Sequence, residues 1–377
     1  MENPPRNART AVTLVFFLNG AGFSSWIARI PEVQNGLAIS EGQLGLALLG
    51  LGFGALVSLL VAGGLVVKLG SRPVTALTAV MFCILVPLPA LAPSLITLAL
   101  ALFVLGVFGG ALDVAMNAQG VLVQQRYGRP VLSSMHAAFS FGGFAGAATG
   151  GLVAGAGVSP AWHLLGVAAV LGAAAYVSTR WLLPASADAS KGGPTFARPS
   201  RALAALGIVA FCGLVMEGGM ADWSAVYLSN VLDTGPGLAA GGFAAFSLTM
   251  GIGRLTGDRL VYLFNSVTIV RYGSAIAAAG MALALLATHP LLVIIAFALV
   301  GAGLANIIPI IFSASANIPG TAPGPAIAAV ATTSYFGFLA GPPAIGLVAE
   351  LVTLRVALVI LVVLAATMTL LSGTIRR

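Results

Sequence analysis

Charge is scarce in this chain: seventeen Lys and Arg and ten Asp and Glu are spread over 377 residues, 7% of the total. A soluble protein of that length could not cover its surface with so few charged groups. Lipid must therefore be the solvent, as the mean hydropathy of +1.05 also indicates. Cysteine is nearly absent. Cys83 and Cys212 stand singly in apolar stretches, and the three His residues are scattered, so neither a disulfide framework nor a metal site is expected. The sequence has no Gly-rich loop with Lys and Ser/Thr, which leaves ATP drive without support. A nucleophile beside a base at suggestive spacing is also missing, so the chain is expected to be no enzyme and to need no cofactor.

What the chain does have is long apolar runs. They fall at about 10–33, 42–66, 73–92, 95–122, 131–157, 160–183, 202–229, 238–262, 267–287, 290–316, 324–350 and 354–374. Each is long enough for a hydrocarbon core of roughly 30 Å. The expected fold class is all-α integral membrane, with about twelve transmembrane helices. The first run lacks a small-residue cleavage site and is expected to remain as a span.

The basic residues orient these spans. With the N-terminus inside, Arg6, Arg9, Lys68, Arg72, Arg126, Arg129, Arg180, Lys191, Arg198, Arg201, Arg254, Arg259, Arg271, Arg376 and Arg377 share one face, and only Arg29 and Arg355 fall on the other. This bias predicts a multi-pass membrane protein with both termini cytoplasmic. The net charge of +7 then reads as loop bias and not as a nucleic-acid footprint.

The polar stretch 184–200, rich in Pro, Gly, Ser and Ala, divides the chain almost equally. It predicts six-helix bundles over 1–183 and 201–377 joined by a cytoplasmic linker. The halves resemble each other. Phe141-Gly142, Ala145-Gly146 and Gly151-Leu152-Val153-Ala154 recur as Phe336-Gly337, Ala340-Gly341 and Gly346-Leu347-Val348-Ala349, an offset of 195 residues from Phe141 to Phe336 and from Ala154 to Ala349. Gly22-x-x-x-Trp26 is likewise echoed by Gly219-x-x-x-Trp223. Parallel repeats of this kind characterise one large class of secondary transporters.

On these features the chain resembles the major facilitator superfamily. The loop Gly63-Gly64-Leu65-Val66-Val67-Lys68-Leu69-Gly70-Ser71-Arg72 is similar to that superfamily's signature loop, with Val67 where the family usually has Asp. Its counterpart Gly253-Arg254-Leu255-Thr256-Gly257-Asp258-Arg259-Leu260 retains the acid. Ser24-Ser25-Trp26-Ile27-Ala28-Arg29-Ile30-Pro31, Asp113-Val114-Ala115-Met116-Asn117 and Glu217-Gly218-Gly219-Met220-Ala221-Asp222-Trp223 resemble the YbjJ-type branch, akin to the fucose permeases. The resemblance implies two pseudo-symmetric six-helix bundles. It also implies a carboxylate on the fourth span involved in proton coupling and sugar binding, the place Asp113 takes here. The first-span carboxylate of those permeases is missing, since Trp26 and Ile27 stand near its place.

Ionisable groups at membrane depth cost about 2.5–3.5 kcal/mol on insertion scales and so tend to face a cavity or a partner. Asp113, Glu217 and Asp222 qualify as proton-coupling candidates, with His136 as a relay. Each also has a plainer reading: a buried polar tie for Asp113 and Glu217, an interfacial acid for Asp222, and a helix–helix hydrogen bond for His136. Asn19, Trp26, Asn117, Trp223, Asn306 and Tyr335 are substrate-cavity candidates, because polar groups orient a solute and rings stack on it. Trp26 and Trp223 can equally belong to interfacial belts. Lys68, Arg72, Arg254, Asp258 and Arg259 form a candidate conformational latch, with Arg254 and Asp258 as an i,i+4 pair. Arg29 is expected at the outer rim, paired with Glu32 or drawing anions. Pro342-Pro343 is expected to bend the eleventh span.

These readings converge on a secondary active transporter, expected to be a monomer, that moves a small sugar-like or other neutral or amphipathic solute by alternating access with proton coupling. Two alternatives stay open: a proton-driven exporter of amphipathic compounds and a non-transporting membrane sensor.

Overall fold

The computed structural model describes residues 5–184, 200–318 and 323–376. Nearly all of the expected linker 184–200, with Lys191 and Arg198, lies outside them, as does Arg377. All regular structure among the described residues is helical. The first half comprises α1 (Arg6–Ile27), α2 (Ile30–Leu37), α3 (Glu41–Leu69), α4 (Ser71–Leu85), α5 (Leu95–Tyr127), α6 (Leu132–Gly155) and α7 (Pro160–Ser178). The second comprises α8 (Arg201–Val226), α9 (Pro236–Ala239), α10 (Gly241–Phe264), α11 (Ser266–Leu286), α12 (Pro290–Leu304), α13 (Ile307–Ala316), α14 (Pro323–Leu351), α15 (Leu354–Ala357) and α16 (Val359–Leu371). Eleven helical stretches among the described residues are long and apolar enough to cross a membrane. The 29-residue α14 stands where the eleventh expected span falls.

Local chemistry sets the ends. α3 and α5 each begin with a capping box, Ser40 with Gln43 and Ser94 with Thr97, in which side chain and backbone satisfy each other's free groups. The first and tenth spans, each read as one run, are broken in two. Pro31 follows the end of α1 at Ile27 by four residues, and Pro309 follows the Ala305–Asn306 break between α12 and α13 in the same way. A proline ring displaces the carbonyl four residues back and supplies no N–H, which accounts for both breaks. Pro342 and Pro343, by contrast, lie inside α14 without ending it.

The packing repeats across the halves. α1 crosses α6 as α8 crosses α14, α3 lies on α5 as α10 lies on α12, and α4 meets α7 as α11 meets α16. The halves join along α6–α10 and α3–α14, two seams that a pseudo-two-fold axis exchanges. The repeated Phe-Gly motif serves these crossings. A side chain on Gly142 would strike the Phe17 carbonyl, and one on Gly337 would strike that of Phe211. Only glycine lets the backbones approach so closely.

The seams are not uniform. At the face opposite the basic residues, the Gly42 amide donates to the Glu350 carboxylate at 3.0 Å. There Gly45 abuts Pro342 and Gly346, Gly151 meets Gly237, and Asn230 donates to Gln34 at 3.3 Å. Toward the basic face the two halves line a common cavity. Gly63 and Gly64, near the far end of α3, have no neighbour within 4 Å of where a side chain would begin. The cavity, of about 280 Å³, opens between the start of α6 and α10.

Candidate functional site

Two polar clusters occupy the zone where the seams meet in mid-bundle. In the first, Asp113 of α5 accepts hydrogen bonds from the Tyr335 hydroxyl of α14 at 3.0 Å and from the Asn117 amide at 3.1 Å. Asn117 lies one turn further along α5 and also donates to the Asp113 carbonyl at 2.9 Å. The i,i+4 spacing puts both side chains on one face, and Tyr335 reaches that face from the other half. The carboxylate is thus tied across the seam by a donor that is neutral and short of full compensation for a charge.

In the second cluster, Arg254 of α10 forms an ion pair with Glu217 of α8 at 3.5 Å. It also donates to Ser140 Oγ of α6 at 2.9 Å. Both ionised side chains are mostly buried, 11% and 18% exposed, where an unpaired charge would be costly. The Arg254 Nε is buried with no partner. Ser140 passes the contact on, donating to the His136 carbonyl at 3.4 Å. The His136 ring sits edge-on to Phe16 with centroids 5.0 Å apart.

The remaining candidates scatter around these two. Asn19 is buried with Nδ2 3.8 Å from the sulfur of Met116, the neighbour of Asn117, and its Oδ1 is unpartnered. Asn306 ties the α12–α13 break to α10 by donating to the Gly253 carbonyl at 3.1 Å, directly beside Arg254. Trp26 and Trp223 are both fully buried with unpartnered indole nitrogens, which places them in the interior and not in an interfacial belt. Asp222 is also buried, and among the described residues it makes no hydrogen bond or ion pair.

The latch candidates separate. Arg254 is not paired with Asp258, four residues on: its guanidinium reaches the buried Glu217 and Ser140, although both residues line the cavity at the basic face. Asp258 and Arg259 are exposed, as is Lys68 at the end of α3. Arg72 donates to the Arg180 carbonyl at 2.9 Å within its own half. Arg29 differs from a rim residue: it is fully buried at the α1–α2 break. It pairs with Glu32 at 2.6 Å and donates to His163 Nδ1 at 3.1 Å and the Val158 carbonyl at 3.0 Å.

Sequence reasoning missed the contacts made by Ser140, His163 and Glu350. A signal existed for the first of these, since Ser140 directly precedes the repeated Phe-Gly motif, as Tyr335 does.

A family model described as Major Facilitator Superfamily matches residues 12–322. An uncharacterized MFS-type transporter of Yersinia pestis is 34% identical over 354 residues, covering 94% of this chain and 92% of that one. Among solved structures, the nucleoside transporter NupG superposes with a TM-score of 0.76 at 15% identity, over 98% of this chain and all of that one (100%). The E. coli fucose:proton symporter FucP gives 0.68 at 16% identity, with 100% of both chains covered.

Proposed function

Since the chain belongs to the Major Facilitator Superfamily, we propose that it carries a small, sugar-like polar solute across a bacterial inner membrane, coupled to protons through Asp113 and Glu217. The observation that carries this reading is the Asp113–Tyr335 hydrogen bond, which joins a mid-membrane carboxylate of one half to a hydroxyl of the other. Charge-assisted hydrogen bonds are roughly twice as strong as neutral ones. Protonation of Asp113 therefore weakens a tie between the halves, so proton occupancy biases the balance between inward-open and outward-open states. Glu217 works alongside it: neutralising that carboxylate frees Arg254 from its partner on α8.

Residues 1–183 and 201–377 act as the two rocking units, with 184–200 as a cytoplasmic linker and both termini inside. In that orientation the basic face with its cavity is the cytoplasmic one, and the protein is held inward-open. Asn117 and Tyr335 offer hydrogen-bonding groups to the solute, and Asn19, Trp26, Trp223 and Asn306, buried in this state, are exposed to it only once the halves rock. The fucose:proton symporter and the nucleoside transporter named above share the fold, which supports a sugar-like cargo. A monomer holds the whole pathway.

Proteoliposomes carrying an internal pH dye test the reading. Neutral monosaccharides and nucleosides, added singly, should include at least one whose entry moves protons and accelerates under an imposed pH gradient. Flux of a solute that ignores the gradient removes the proton role and keeps the carrier. Binding of a solute with no flux in either direction points to a sensor.

A further inference from the structure

The cavity at the basic face draws on both halves. Arg9 of α1, Arg129 and Pro130 before α6, and Val131, Ser133 and Ser134 at its start come from the first, and Arg254, Leu255 and Asp258 of α10 come from the second. Three arginines and one acid line it, with Arg254 already paired to Glu217. Arg9 and Arg129 both lie over the Tyr127 ring, 5.0 and 5.2 Å from its centroid, and Arg9 donates to the Tyr127 hydroxyl at 3.2 Å. Among the described residues neither has a carboxylate within ion-pair distance. Stacking on one ring holds two cations close together without a counter-ion, against their mutual repulsion.

Inner-face arginines are common as topological signals, but those are dispersed in loops. Here they converge on one volume, where the Ser133 hydroxyl adds a further donor. Ser134 is already engaged with the Val131 carbonyl at 2.6 Å. The volume of about 280 Å³ admits a phosphate group and its first waters.

We propose that this cavity is an anion site for a phosphate group, with Arg9 and Arg129 as its cationic ligands. Guanidinium forks match phosphate oxygens in geometry as well as charge. The phosphate arrives either free in solution or on the head group of an anionic lipid, the ligand that basic pockets between spans on this side take. Asp258 gives the site a further consequence. It sits on the opposite wall from Arg9 and Arg129, so closing the basic face offers them a carboxylate in place of the anion. Occupancy therefore holds the halves parted. This site is read by binding alone and stands whether or not the chain moves protons.

The test is thermal melting of the purified full-length protein in detergent, titrated with inorganic phosphate against sodium chloride of matched ionic strength. A saturable, phosphate-specific rise is expected. Arg9→Gln/Arg129→Gln should move its midpoint at least about tenfold higher in phosphate. Should that double variant fail to purify, Arg129→Gln alone should move it severalfold. Repeating the titration in nanodiscs separates the sources. A shift in phosphatidylcholine discs that vanishes in phosphatidylglycerol discs assigns the site to the lipid head group, while a shift in both assigns it to free phosphate. A non-saturable rise shared equally by parent and variants is general salt stabilisation and overturns the proposal.

Discussion

Ser140 and Tyr335 stand at equivalent points of the two halves, 195 residues apart, and each carries a hydrogen bond into the opposite half. Ser140 of α6 accepts from Arg254, and Tyr335 of α14 donates to Asp113. The repeat has thus placed a hydroxyl at the same step of two symmetry-related helices, while the partners it meets differ in charge. One hydroxyl faces a cation and the other an acid.

Tyr335→Phe removes the hydroxyl and keeps the ring. It takes one donor from Asp113, a hydrogen bond to a charged group worth about 1.5–3 kcal/mol in the buried setting. Gradient-driven uptake should fall by roughly tenfold or more, since 1.4 kcal/mol is a factor of ten, and the melting temperature should drop by about a few degrees. Uptake in proteoliposomes checks the first and a thermal melt the second.

Arg254→Leu leaves Glu217 without its cation at mid-membrane depth. Breaking a buried pair from one side costs about 3–5 kcal/mol, and the partial exposure of both side chains brings the expected loss to about 1–3 kcal/mol. Glu217→Gln combined with Arg254→Leu should regain much of it. A double-mutant cycle of melting temperatures measures the coupling.

How much of this was legible beforehand depends on what sets each feature. The spans follow from the apolar runs because lipid leaves few alternatives to a helix, and the repeat motif marked the α1–α6 and α8–α14 crossings. The breaks at Ala28–Arg29 and Ala305–Asn306 were also available, since Pro31 and Pro309 lie inside the two runs, yet each run was read as continuous. Arg254 pairs with Glu217 in place of the Asp258 that the i,i+4 spacing offers. Its neighbour in sequence, Asp258, was visible, whereas Glu217 and Ser140 come from helices that only tertiary packing brings near. The burial of Trp26, Trp223, Asp222 and Arg29 is of the same kind. Position along a span does not say which way a helix face turns.

Gly142→Val and Gly337→Val test the crossings that the repeat specifies. Each drives a side chain into a backbone carbonyl, of Phe17 or of Phe211, which the neighbouring helix cannot relieve by a rotamer change. Overpacking of this kind costs about 1–3 kcal/mol, more against backbone. Both variants should show reduced yield of monodisperse protein on size-exclusion chromatography, and Gly63→Val, in open space, should not.

Glu350→Ala removes the carboxylate that receives the Gly42 amide at the start of α3, a contact that holds the halves together at the face opposite the basic one. The variant should spend more time open at that face. Labelling of a Glu41→Cys reporter, half-buried beside Gly346, by an impermeant maleimide should speed up in the Glu350→Ala background. An unchanged labelling rate means the glycine seam alone closes that face.

The coupling role of Asp113 meets its most direct test in Asp113→Asn, reconstituted beside the parent protein with a solute that the parent accumulates under a pH gradient. The account predicts that the variant still exchanges labelled for unlabelled solute across the membrane but no longer accumulates it against a concentration difference. Accumulation by the variant equal to that of the parent would contradict it.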